Sequence, residues 1–325
     1  MRQRIWRVVG VALVVLVAIE GSVRFMTPRV PKPPDWHYIG IDSLVESMDL
    51  LERGGVTSDV VVAGTSLVQR IRVPIVEREL ESVAVAHNLS LFNAHTPVQR
   101  RWLLEEVLPR LKPDRVVWGV ASLDFNGGRP QKEIEVYESS RAGKVGFAGP
   151  IDRLLGSLLM TVRYRQEVRG PLFFSHILDP PVLQAGPSEE PVDELLERSV
   201  IWDREQTEEA FASLRTRELH DFHIGEREAE DFIFSIEEML KRDIEVILVL
   251  MPVPLEYVVA NDEGRDSFTN WTDWVLSTAE ELAVPVFDYS SAISQADFGD
   301  YIHLDAAGAD LLTELLVEDL RLLGW

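Results

Sequence analysis

Five short apolar runs, rich in Val and Ile, recur along this chain with longer amphipathic stretches between them. They are "DVVVAG" (59–64), "LSLFNAH" (89–95), "RVVWGVAS" (115–122), "EVILVLMPV" (245–253) and "VPVFDYS" (284–290). Runs that stay apolar on both faces predict strands covered on both sides, the pattern of a parallel sheet. The segments between them show helical spacing. Val98–Leu111 sets Trp102, Leu103, Val107, Leu108 and Leu111 on one side, and Glu226–Arg242 and Phe268–Leu282 are similar. Asp305 reads as the N-cap of a last helix whose buried stripe is Leu311, Leu312, Leu315, Leu316 and Leu320. Strand–helix alternation predicts a doubly wound α/β domain.

One interval breaks the rhythm. About 100 residues separate the third strand from the fourth, far more than a crossover needs. This stretch, about 127–225, includes "RGPLFFSHILDPPVLQAGPSEEPVDE". An insertion leaving the carboxyl end of a strand lands on the rim where α/β proteins bind ligands. It reads either as a lid or partner-docking subdomain or as a surface loop.

The N-terminus sets apart a different segment. Arg2, Arg4 and Arg7 precede an unbroken apolar run, Val8–Ile19, which Trp6, Val23, Phe25 and Met26 extend around Glu20. No small-residue cleavage site follows, and a soluble core helix rarely starts behind three arginines. The expectation is a retained signal anchor over residues 1–26, crossing the membrane once with the body outside the cytoplasm. "TPRVPKPPDW" (27–36) is a stiff extended linker. The body is then residues 37–325. Its surroundings are constrained by charge: Lys+Arg 32 against Asp+Glu 54 gives a net charge of -22. That field repels nucleic acid at long range but leaves room for a local basic patch. With no cysteine, disulfides, thiolate catalysis and Cys-ligated metal are excluded.

Two stretches carry chemistry. Gly64-Thr65-Ser66 ends the first strand, where Ser66 is either a nucleophile beside outward-facing N–H groups or a helix cap. Asp300 and His303 form the chain's only Asp-x-x-His pair, in the loop after the fifth strand. From there Asp300 can hold one imidazole nitrogen while the other faces a serine. His95 ends the second strand, as a substrate contact, an oxyanion donor or a structural histidine. His220 and His223 have metal-ligand spacing, but no third ligand follows at helical spacing.

The combination resembles the SGNH/GDSL hydrolase superfamily. The nucleophile block matches at Gly64-Thr65-Ser66 and the Asp-x-x-His block at Asp300–His303. The anchor and the Gly-Thr-Ser variant are similar to the membrane-anchored branch that includes alginate O-acetylation and teichoic-acid D-alanylation proteins. The resemblance implies a flavodoxin-like three-layer sandwich with a catalytic Ser66–His303–Asp300 triad and no metal or nucleotide cofactor. It also implies an acyl-serine route for an esterase or O-acyltransferase. Its partners would be a membrane-bound acyltransferase and an envelope polysaccharide. Two blocks depart from the family. Asn93, Ala94 and His95 stand where an oxyanion glycine is expected. Ala121 and Ser122 follow Gly119 where Asn and Asp are expected, leaving Asp124 and Asn126 as substitute candidates. The departures keep a second reading open, a non-catalytic envelope assembly or binding protein on the same fold.

Anchoring has a direct check. On fractionation of expressing cells, the full chain should sediment with membranes and a chain starting at Pro34 should not. A soluble full chain, or a mature N-terminus beyond residue 22, would overturn the anchor.

Overall fold

The structure is a computed structural model and describes residues 17, 20–21, 55–91, 94–128, 204–260 and 264–325. Most of the anchor run, the proline linker, Asn93 and most of the long interval lie outside the described residues. Among the described residues, no helix is long and apolar enough to cross a membrane. The chain divides into two units, Met1–Tyr38 with Gly143–Glu189 and Ile39–Ala142 with Glu190–Trp325. Nearly every described residue belongs to the second.

That unit is built on a five-stranded parallel sheet. Its strands are β1 (Val60–Ala63), β2 (Ala86–Asn88), β3 (Arg115–Val120), β4 (Glu245–Leu250) and β5 (Val286–Asp288), in spatial order β2-β1-β3-β4-β5. Every residue of β1 is buried, as is all of β3 after Arg115 and all of β4 after Glu245. The continuous apolar runs thus reflect cover on both faces. The helices are α1 (Val73–Glu79), α2 (Thr96–Arg101), α3 (Leu108–Leu111), α4 (Arg204–Ser213), α5 (Glu226–Leu240), α6 (Leu255–Ala260), α7 (Arg265–Glu281) and α8 (Ala306–Leu322). The step from β1 to β2 runs opposite to the steps from β2 through β5. Right-handed crossovers therefore send α1 to one face and α2, α5 and α7 to the other. The packing agrees, with α8 against α1 and α5 against α2. This is the flavodoxin-like doubly wound order, whose switch point lies between β1 and β3.

The second strand lies earlier than the apolar pattern predicts. It is Ala86–Asn88, not 89–95. Leu89 and Leu91 do continue beside β1, donating to the carbonyls of Val62 and Gly64, both at 2.8 Å. The Asn88 amide turns instead to the carbonyls of Val68 and Ile71, and the Ser90 hydroxyl bonds its Oδ1 at 2.6 Å, which ends the regular ladder. The helix expected over 98–111 forms in three pieces, with a π-helical turn (Trp102–Val107) between α2 and α3. Pro109 explains the widened turn, because its ring crowds the carbonyl one turn back and it offers no N–H. All five stripe residues are buried. In α8, Asp305 caps as expected, accepting from the Gly308 N–H at 2.8 Å. Leu311, however, is exposed, and Thr313 and Val317 fill the core with Leu312, Leu316 and Leu320.

The long interval leaves and returns at one place. Asn126 and Ile224 form an antiparallel bridge, Gly127 N–H donates to the His223 carbonyl, and Gly225 N–H donates to that of Phe125. The Asn126 amide reaches the carbonyls of Glu218 and His220 at 2.7 and 3.3 Å. These contacts draw the two chain ends into a narrow neck.

At the switch point two glycines let β1 and β3 end close together. Gly64 has φ of +143°, and a side chain there would strike the Gly119 carbonyl and Val68. A Cβ on Gly119 would lie 2.5 Å from Val68 Cγ2 and 2.8 Å from Met251 Sδ. Gly64→Ala should therefore lower unfolding free energy in urea by at least about 1–3 kcal/mol, the usual strain of such a backbone. An unchanged midpoint would show that the turn relaxes at no cost.

Candidate active site

Ser66 sits in the turn that leaves β1. The turn closes with Val68 N–H to the Thr65 carbonyl at 3.0 Å and Gln69 N–H to the Ser66 carbonyl at 3.2 Å, opening a 3₁₀ turn over Val68–Arg70. Val68 is wholly buried over the glycine pair, so the turn is held from below. Arg72, just beyond, ties it to the last helix. Its guanidinium pairs with Asp310 at 2.6 Å and donates to the Ala306 carbonyl, and its N–H donates to Thr313 Oγ1. These bonds bring the β1 turn against the start of α8.

The loop before α8 is equally constrained. Phe298 and Leu304 form an antiparallel bridge, and Gly299 N–H donates to the His303 carbonyl at 2.9 Å. Inside this pinched loop, Asp300 Oδ1 accepts the N–H groups of Ile302 and His303 at 2.8 and 2.7 Å. That leaves Asp300 Oδ2 for the imidazole, 2.8 Å from His303 Nδ1. His303 Nε2 lies 2.9 Å from Ser66 Oγ. An ionised carboxylate only accepts, so Nδ1 carries the proton and Nε2 is free to accept from the serine hydroxyl. Ser66 is 9% exposed, and the His303 and Asp300 side chains 14% and 19%. The array is shielded from bulk water without being sealed.

Burial alone would raise the Asp300 carboxyl. The hydrogen bond and charge of His303, with the two backbone donors, outweigh it and hold the carboxyl below its ordinary value. Arg70, at the end of the 3₁₀ turn that follows Ser66, feels the charge of Asp300. Burial lowers its guanidinium from the ordinary value, the field of Asp300 opposes that, Arg72 adds to it, and Asp305 opposes it again.

The remaining sequence candidates separate. Asn93 lies outside the described residues. His95 is wholly buried at the start of α2, where its carbonyl accepts the N–H groups of Val98 and Gln99. Asp124 is wholly buried, and its Oδ2 accepts the Ala121 N–H at 3.0 Å. The Asn126 amide lies in the neck, donating to the carbonyls of Glu218 and His220, while its Oδ1 accepts the Gly128 N–H. His220 pairs with Asp221 at 3.1 Å, while His223 faces the Asp221 carbonyl. No group of three potential metal ligands occurs among the described residues. Beside the nucleophile, the Ser66 N–H makes no hydrogen bond with a described residue, which leaves it available to a developing negative charge.

Three residues around the site carry no sequence motif. Tyr257 on α6 is buried. Its hydroxyl accepts the Leu123 N–H at 3.0 Å and lies 2.8 Å from Ser122 Oγ, bracing the loop after β3. Tyr301 meets Phe211 of α4 edge to face, with centroids 6.0 Å apart, and the His303 ring at 6.4 Å. Their one legible signal is position at the carboxyl edge of the sheet or on the return from the long interval.

No protein-family profile and no curated protein matches the chain. Among solved structures, the chain aligns with three whose length it spans almost fully. One is a GDSL-like lipase from Bacteroides thetaiotaomicron (9% identity, 86% of this chain and 98% of that one, TM-score 0.43). Another is a psychrotrophic esterase from a Pseudoalteromonas species (10% identity, 81% and 97%, TM-score 0.39). The third is a carbohydrate acetylesterase family member from Sinorhizobium meliloti (16% identity, 81% and 98%, TM-score 0.36).

The depressed Asp300 carboxyl sets a pH dependence. The unfolded chain holds that proton more tightly, from its ordinary value near 3.8 downward. Asp300 thus stabilises the fold fully above that value, and the contribution is lost as pH falls through the lower folded-state value. In urea unfolding across a pH series, Asp300→Asn should be less stable than wild type at neutral pH, with the gap narrowing below about pH 4. A gap independent of pH would overturn this assignment.

Proposed function

We propose that the protein is a serine esterase or O-acyltransferase of the SGNH type that works through an acyl-Ser66 intermediate. The reading is carried by one observation, the unbroken hydrogen-bond line from Ser66 Oγ through His303 to Asp300. Ser66 Oγ attacks the ester carbonyl carbon while its proton passes to His303 Nε2. Asp300 stabilises the imidazolium that forms. The carbonyl oxygen becomes an oxyanion that the Ser66 N–H can meet. Collapse of this intermediate breaks the bond to the alcohol, which takes the proton from His303. Water or an acceptor hydroxyl then gives its proton to Nε2 and attacks the acyl-serine; the acyl–Oγ bond breaks, Ser66 Oγ takes that proton back from His303, and an acid or a new ester leaves.

The finer parts of the proposal are supported by sequence. The apolar run Val8–Ile19 and the resemblance to the membrane-anchored branch support attachment to the membrane with the body extracytoplasmic. The same resemblance supports an envelope glycan as acceptor and a membrane-bound acyltransferase as the source of the acyl group. A second reading, a non-catalytic assembly or binding protein, is favoured by the oxyanion side. Ala121 offers no side-chain donor, and the amide of Asn126 is occupied.

A fluorophosphonate probe separates the two. The wild-type chain should label, Ser66→Ala should not, and His303→Ala should label far more slowly. Against an activated ester, Ser66→Ala should lose about 10⁶-fold in kcat and Asp300→Asn about 10⁴-fold. Equal labelling of wild type and Ser66→Ala would remove Ser66 as the nucleophile. A folded wild type that never labels would favour the second reading.

A further inference from the structure

Arg70 closes the 3₁₀ turn that begins just after Ser66, and its side chain is only partly exposed. It differs from its neighbour Arg72, which has an ion pair and two further hydrogen bonds. The Arg70 guanidinium makes no ion pair and no hydrogen bond with a described residue. The charges that act on it are Asp300, Arg72 and Asp305. Neither carboxylate is in ion-pair contact with it. Asp300 spends Oδ1 on two backbone N–H groups and Oδ2 on His303, and Asp305 spends Oδ1 on Gly308. A half-buried guanidinium has lost part of its hydration, and no protein group of the described residues replaces it, so its donors can turn to a ligand. The chain around it carries a net charge of -22, so an anionic molecule gains nothing from the overall field and needs a local cation.

We propose that Arg70 is the recognition residue for an oxyanion, a carboxylate or a phosphate, borne by the ester substrate close to its scissile bond. The planar fork of guanidinium donors suits either group, taken through two parallel hydrogen bonds. The proposal rests on the acyl-Ser66 reading, because it places the anion by reference to the nucleophile. It makes the enzyme selective for acidic acyl donors or acidic acceptors over neutral ones.

Two experiments on the full chain test it. The first compares kcat/KM for p-nitrophenyl butyrate and mono-p-nitrophenyl succinate. Arg70→Gln should lower the succinate-to-butyrate ratio by about 10- to 100-fold, the worth of a charge-assisted hydrogen bond, and Arg70→Lys should retain part of it. An equal loss on both esters would make Arg70 a support for Asp300 and overturn the proposal, as would no loss on either. The second needs no turnover. Monomethyl succinate and methyl phosphate are titrated calorimetrically into Ser66→Ala and into Ser66→Ala/Arg70→Gln. Binding of either probe to the first, weakened tenfold or more in the second, supports recognition by Arg70 and tells carboxylate from phosphate. No binding to the first, or equal binding to both, overturns it. Failure of the acyl-Ser66 reading looks different: butyrate would go unhydrolysed by wild type, or be hydrolysed equally by Ser66→Ala.

Discussion

The close approach of β1 and β3 at their carboxyl ends is the constraint on which the rest of the unit depends. Gly64 and Gly119 meet with no space for a side chain between them, and Val68 covers both. Because Gly64 adopts a backbone that side chains disfavour, the chain turns sharply after only four strand residues. Ser66 thereby emerges at the sheet edge and not inside a longer strand. The loop after β3 is braced at the same edge by Tyr257, and the turn after β1 is tied to α8 by Arg72. Packing at two glycines therefore fixes where the hydroxyl stands, and side-chain bonds from distant elements fix what stands beside it.

The acidic partner of the array is organised locally. Asp300 and His303 are three residues apart, and the carboxylate is satisfied by backbone donors of the very residues that lead to the histidine. Orientation of the imidazole is thus a property of one short loop, and only the meeting with Ser66 is a property of the tertiary fold. Burial opposes ionisation of Asp300, and hydrogen bonding wins. A carboxylate in that balance remains charged while in contact with a partly dry site, the condition for steadying a transient imidazolium.

Much of this was legible in the sequence, for physical reasons. Strands covered on both faces write continuous apolar runs, so β1, β3 and β4 could be read directly, and the Asp305 cap has a compact signature. The Ser66 and Asp300–His303 blocks fall in the first and last strand-to-helix loops, which a doubly wound sheet brings to one edge. What failed depended on contacts that periodicity does not encode. The second strand was misplaced because Leu89 and Leu91 are buried beside β1 without forming ladder, after Asn88 turns its amide elsewhere. The hydrogen bonds of Asn126 are likewise hidden from periodicity, because its partners, Glu218 and His220, lie some ninety residues on. Leu311 fits a leucine stripe, yet the helix turns Thr313 inward in its place because Thr313 Oγ1 serves Arg72 and the Ala309 carbonyl.

The neck at Asn126 and Ile224 has a consequence for how the sheet assembles. Arg115 must find Glu245 in register across the longest separation in the sheet, and closing so large a ring costs conformational entropy before any strand contact rewards it. Once the bridge between Asn126 and Ile224 has formed, the intervening chain no longer counts toward that ring. β3 and β4 are then joined kinetically by a short crossover through α5, of the size an ordinary doubly wound protein closes. The cost of the long ring is thereby met at the neck, and β3–β4 pairing becomes a local step; closure entropy grows only with the logarithm of loop length, so the size of the interval weighs little on it.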